Sequence, residues 1–254
     1  MFSQEPRCIY RRNQLGEVIC QLRFPEILTI NTTAPAEFQE AIRDQFPVYG
    51  ARKEPVMLKS GTPAPQPGLN HQFATADGTW RVNLTSRFIS LACSRYTRWE
   101  DFAAKLDKPL AAFIRIYRPA YFERVGLRYL NFISRRALEL NHTPFCALIS
   151  PAYLGLLSDP EVSEAAATRI TVDADVAIRA GCRAKIHAGP GMIGRPGQTD
   201  AEPKFILDFD LYMPGKLALN LSAGALHTLH AQAYPLFRGA ITDTLHEAME
   251  PNCI

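Results

Sequence analysis

No stretch of this chain of 254 residues reaches about 18 uninterrupted apolar residues, so no segment reads as a membrane-spanning helix. Its first residues, Met1-Phe2-Ser3-Gln4-Glu5-Pro6-Arg7, lack the basic stretch and apolar run of a secretory signal, which leads us to expect a cytoplasmic protein. The six cysteines, Cys8, Cys20, Cys93, Cys146, Cys182 and Cys253, never come closer than twelve positions and form no C-x-x-C pair. In a reducing compartment that spacing predicts separate, mostly buried thiols in place of a metal or redox cluster. There is no G-x-S-x-G elbow, no H-E-x-x-H, and no Cys or Ser set beside both a His and an acid. No assembled nucleophile is therefore visible, and no cofactor is implied. A large excess of one charge is also missing: the net +3 and pI near 8.5 fit neither a disordered chain nor a basic nucleic-acid coat.

What is present is 47% hydrophobic residues, enough for a full core near the upper size limit of one domain. Charge is divided unevenly. Residues 1–140 carry 20 Lys+Arg against 13 Asp+Glu, or +7, and residues 141–254 carry 8 against 12, or −4. In the basic half, Val18, Cys20, Leu22 and Phe24 alternate with Glu17, Gln21 and Arg23, predicting a strand closed by Pro25. Phe38, Ile42 and Phe46 have helical spacing up to Pro47. The Pro- and Gly-rich stretch Gly61 to Gly68 reads as a surface excursion. Strands Gln72 to Thr75, Trp80 to Ser86 and Phe88 to Arg95 follow, the first two joined by the Asp77-Gly78 turn. A helix from Trp99 to Ile116 interrupted or kinked at Pro109, and a long strand from Tyr121 to Ile133, complete a strand-helix-strands-helix-strand order.

In the acidic half we expect a helix at Pro151 to Leu157 and strands at Ala167 to Ala177, Cys182 to Ala188 and Lys204 to Tyr212. A terminal helix from Ala223 to Met249 should break near Pro235. Grouped strands with helices between the groups predict an α+β fold of antiparallel sheets with helices packed on one face. The division is residues 1–140 and 141–254 within one compact unit. Whether the halves are duplicates stays open.

The segment Val125-Gly126-Leu127-Arg128-Tyr129-Leu130-Asn131 resembles a family of uncharacterised bacterial proteins noted for sporadic distribution. Leu22-Arg23-Phe24-Pro25, the helix Phe38-Gln39 to Ile42-Arg43 with Phe46-Pro47, and Trp99-Glu100-Asp101-Phe102 resemble it too, so the likeness covers most of the first half and only the general helix pattern of the second. It implies kinship of fold and supplies no catalytic residues.

Two acidic strands attract attention, one with Asp173 and Asp175 on one face and one with Asp208 and Asp210. Converging, the four carboxylates could ligate a divalent hard cation. Between them runs Arg183-Ala184-Lys185-Ile186-His187, and in a three-strand meander its cations would face the same way, making the aspartates cross-strand ion-pair partners. Arg23, Arg81, Arg124 and Arg128, with Asn131, fall on polar strand faces and form a candidate ligand or partner site for an anionic group. Gly189-Pro190-Gly191-Met192-Ile193-Gly194 spells G-x-G-x-x-G, but Arg195-Pro196-Gly197 continues a loop where a dinucleotide site needs a helix, so a hairpin connection is expected. His227 and His230 share zinc-like spacing, with His246 further on; packing is the expected role. Aromatics among the arginines raise nucleic-acid binding, which the modest charge disfavours.

The sequence thus points to a non-catalytic binding or accessory protein that holds a protein or peptide partner on a polar sheet face or in a cleft between its halves. A homodimer is an open alternative, since the opposite charges of the two halves could pair across copies. The rival readings are a divalent-metal enzyme acting through Asp173, Asp175, Asp208 and Asp210, and a nucleic-acid-binding protein.

Overall fold

The computed structural model describes residues 1–54, 68–193 and 202–253. From the N-terminus run β1 (Cys8–Tyr10), β2 (Leu15–Arg23), α1 (Thr29–Thr32), α2 (Ala36–Ile42), β3 (Val48–Glu54), β4 (Gly68–Ala74), β5 (Trp80–Leu84) and β6 (Phe88–Cys93). There follow α3 (Trp99–Tyr117), β7 (Phe122–Ile133), α4 (Pro151–Leu154), β8 (Val172–Ala177), β9 (Arg183–Met192), β10 (Pro203–Leu217), α5 (Ser222–Ala240), α6 (Asp243–Ala248) and β11 (Pro251–Cys253). The fold is α+β. Among the described residues nine strands form a large open sheet in the order β3-β4-β5-β6-β2-β7-β10-β9-β8, and β1 pairs with β11 separately. The excursion expected over residues 61–68 lies outside the described residues, apart from Gly68.

The chain divides into two compact units, one of residues 1–17, 128–212 and 227–254 and the other of residues 18–127 and 213–226. This differs from a division at residue 140, because β2, β7, β10 and α5 each contribute residues to both units. Charge still separates: the second unit holds 15 Lys+Arg against 10 Asp+Glu, or +5, and the first 13 against 15, or −2.

In the second unit, the alternation read from the sequence sets one buried face. Val18, Cys20 and Leu22 of β2 lie opposite Cys93, Leu91 and Ile89 of β6, which face Trp80, Val82 and Leu84 of β5. The helices cover this face: Phe113 of α3 packs on Phe24 at 4.6 Å between centroids, Phe102 on Trp80 at 5.6 Å and Phe38 of α2 on Phe73 at 5.2 Å. α3 presents Trp99, Phe102, Leu106, Pro109, Ala112 and Phe113 at helical spacing and continues through Pro109 as one element. It ends where Arg118 turns left-handed (φ 46°) before Pro119.

In the first unit, Phe205, Leu207, Phe209 and Leu211 of β10 form the buried set, with Tyr153 of α4 against Phe209 and Phe145 against Phe205. The terminal helix breaks at Ile241 and Thr242, not at Pro235, which lies inside α5. Thr242 caps α6 by accepting from Leu245 N, so a capping side chain decides the break. Gly189 to Met192 is strand rather than connection: Gly189 lies opposite Ile206 and Gly191 opposite Lys204. Cys8 and Cys253 face each other across β1 and β11 and are disulfide-bonded, which corrects the expectation of six separate thiols. Cys20, Cys93 and Cys182 are buried thiols outside any disulfide, and Cys146 is an exposed one. The pairing was hidden by a separation of 245 residues and by strands too short to show a period.

Candidate functional site

The site begins with β-strand parity. β9 lies between β8 and β10, as the meander reading expects, and the registers set Asp173 opposite His187 and His187 opposite Asp208. One pleat further along, Asp175 is opposite Lys185 and Lys185 opposite Asp210. Because these positions differ by two residues on each strand, all project from one face. Arg128 of β7 joins the first row, donating from Nε to Asp208 Oδ1 at 2.8 Å and from Nη2 to Oδ2 at 2.5 Å. Arg128, Asp208, His187 and Asp173 thus alternate in sign across four strands, with the imidazole cationic when protonated.

The second row is tied at its outer end. Arg183 Nε lies 3.0 Å from Asp175 Oδ1, and the Tyr212 hydroxyl donates to the same carboxylate at 3.0 Å. Asp175 is held below the usual carboxylate range: burial works against its ionisation, but hydrogen bonds from Tyr212 and Arg183 and the nearby Arg183 and Lys185 charges outweigh it. Asp173 is also held low, chiefly by its 2.7 Å contact with His187 Nδ1. Asp173, Asp175, Lys185, His187, Asp208 and Asp210, with Arg128, line a concavity of ≈ 550 Å³. Four aspartates there face Arg128 and Lys185, and Arg183 pairs with Asp175 from beside the lining, a net −1 with His187 neutral.

Chemically, this is a lattice of cross-strand ion pairs with an acid surplus. The four aspartates of the metal reading face cations at their register neighbours. Among the described residues no group of three or more His, Cys, Asp or Glu is placed to hold a metal ion. Nor do the residues of the arginine reading converge. Arg128 is bound to Asp208, and Asn131 is buried, donating to Leu207 O at 3.0 Å. The Arg124 guanidinium folds over Gly126, where a Cβ would collide with it. Arg23 and Arg81 share one exposed face of the second unit, but two strand spacings and a four-residue offset put them roughly 16 Å apart, too far for one carboxylate or phosphate. Between them runs a polar ladder, Gln72 donating to Asn83 at 3.1 Å and Asn83 to Ser90 at 3.2 Å.

The histidines singled out by spacing are packing groups: His230 Nδ1 meets the Tyr129 hydroxyl at 3.0 Å and His246 Nδ1 the Tyr10 hydroxyl at 2.8 Å, while His227 is exposed. Sequence reasoning missed Tyr212, although Asp208, Asp210 and Tyr212 keep the same two-residue period. It also separated Arg128 from its acidic partner, since nothing local signals a contact across 80 positions.

No family model matches the chain, and no curated protein does. The Gly126-Leu127-Arg128-Tyr129 segment nevertheless has a physical account. Gly126 leaves room for Arg124, Arg128 enters the ion-pair lattice, and Tyr129 anchors His230.

Proposed function

We propose that this chain is a non-catalytic binding or accessory protein that holds a basic segment of a protein partner on the polar face of β8, β9 and β10. The observation carrying the reading is the acidic concavity, net −1 once Arg183 on Asp175 is counted, in which Asp173 keeps 67% of its side-chain surface exposed although His187 and Thr171 both hydrogen-bond it. A lattice used only for fold stability would balance its charges; a surplus of acid at a half-open surface is complementary to Lys and Arg. Kinship with the sporadically distributed bacterial proteins belongs to the same proposal, as does a cytoplasmic setting. No described helix is long and apolar enough to cross a membrane. The Cys8–Cys253 bridge is the feature that weighs against a reducing compartment.

The test is calorimetric titration of the full chain with a Lys-rich and a Glu-rich peptide of equal length, at low and high salt. The reading requires binding of the basic peptide alone, weakened at least tenfold at high salt. Equal affinity for both peptides, or for neither, would overturn it.

A further inference from the structure

β8 is the last strand in the sheet order, so one of its edges faces away from β9. Among the described residues, Val172–Ala177 have their backbone ladder in β9 alone. An edge of amides and carbonyls without a neighbour is a template for another strand, and proteins that do not use such edges blunt them with Lys, Pro or bulges. β8 has neither Lys nor Pro: its sequence is Val-Asp-Ala-Asp-Val-Ala. The Asp175 carbonyl accepts from Arg183 Nη2 at 3.2 Å, a contact that an added strand must share or displace, and the remaining protection is negative charge, which excludes some partners and selects others.

The sign pattern identifies the partner chemistry. Across β7, β10, β9 and β8 the first row runs Arg128, Asp208, His187, Asp173, and the second, from β10, runs Asp210, Lys185, Asp175. Both rows end on an acid at the free edge. A strand added there with cations at alternate positions continues the alternation, placing a base directly beside Asp173 and Asp175. A second copy pairing antiparallel through β8 would instead bring aspartates together, and like charges facing each other across strands are destabilising. On the opposite side of the pleat, half-buried Val172, Ala174 and Val176 favour apolar neighbours.

We infer that β8 takes up an extended segment of alternating basic and apolar residues by strand addition, as a tenth strand of the sheet. The inference rests on the docking reading above and adds its mode, so the test separates the two. The probe is a seven-residue peptide, Val-Lys-Val-Lys-Val-Lys-Val. Its controls are the same peptide N-methylated at alternate residues, each edge in turn, and a Glu-for-Lys version.

Strand addition predicts that the unmodified peptide binds and slows amide exchange at alternate residues of β8. N-methylation along one peptide edge should weaken binding at least tenfold, and Asp173→Lys with Asp175→Lys should reverse the preference toward the Glu peptide. If both N-methylated forms bind as well as the parent and β8 exchange is unchanged, strand addition is overturned while the docking reading stands. If the Lys peptide does not bind at all, both fall. Protection of β8 without peptide that rises with protein concentration would show a second copy on the edge and also overturn the inference. Circular dichroism of the double variant, with both substitutions at an exposed edge, confirms that it is folded.

Discussion

Arg128 and Asp208, 80 positions apart, are joined by two parallel hydrogen bonds between β7 and β10, and the pair is unequally buried: 44% of the Arg128 side chain is exposed but only 14% of Asp208. Removing the arginine strands a mostly buried carboxylate, whereas removing the aspartate leaves a guanidinium that water can reach. We therefore expect Arg128→Met to cost about 2 kcal/mol and Asp208→Asn about 1 kcal/mol in urea unfolding. The reverse order would contradict the burial argument.

The Tyr10–His246 contact predicts a pH dependence. Burial, followed by the nearby Arg238 charge, holds His246 below the usual imidazole range. The unfolded chain therefore takes up this proton first as pH falls, so the contribution is fully present above about pH 6.5 and is lost as pH drops from there toward the depressed folded value. Asp44, Asp101 and Asp173, each held low mainly by hydrogen bonds to Lys108, Thr97 and His187, add a further loss at lower pH as they protonate. Thermal melts between pH 8 and pH 5 should show the first loss in the wild type and a flatter profile in His246→Gln. An identical slope in both would exclude the histidine.

The Cys8–Cys253 bridge closes almost the entire chain into one loop. Peptide mapping without reductant should recover the linked pair, and Cys8→Ser should cost about 2–4 kcal/mol under oxidising conditions and much less in excess dithiothreitol. Recovery of all six thiols as free would remove the bridge from the account.

Packing predicts a contrast between Phe209 and Leu156. Phe209 is 1% exposed and packed by Tyr153, and Phe209→Ala should cost about 3–5 kcal/mol. Leu156 is 68% exposed, and Leu156→Ala should stay within about 0.5 kcal/mol of the wild type. Chemical denaturation of both variants checks the expected gap.

The parts of the fold legible in the sequence were those where a local period matched burial. The alternation around Val18, Cys20 and Leu22, the helical spacing of Trp99, Phe102 and Leu106, and the acidic, basic and acidic strands each gave a correct element and face. β3 escaped because Val48-Tyr49-Gly50-Ala51-Arg52-Lys53-Glu54 has no two-residue apolar period, as suits an edge strand. Pro235 misled because a proline reads as a helix stop, while the cap at Thr242 is a quieter local signal. In the site, the aspartates and their β9 cations could be read from parity, but Arg128 could not, since its row is set by pairing between distant strands.

The most direct test of the central claim compares the affinity of the wild type for a Lys-rich peptide with that of Asp173→Lys/Asp175→Lys in the same low-salt buffer. Replacing two attractive neighbours by two repulsive ones should shift binding by about 1–3 kcal/mol, or roughly 5- to 150-fold, and favour a Glu-rich peptide instead. Unchanged affinity in the double variant would contradict the account.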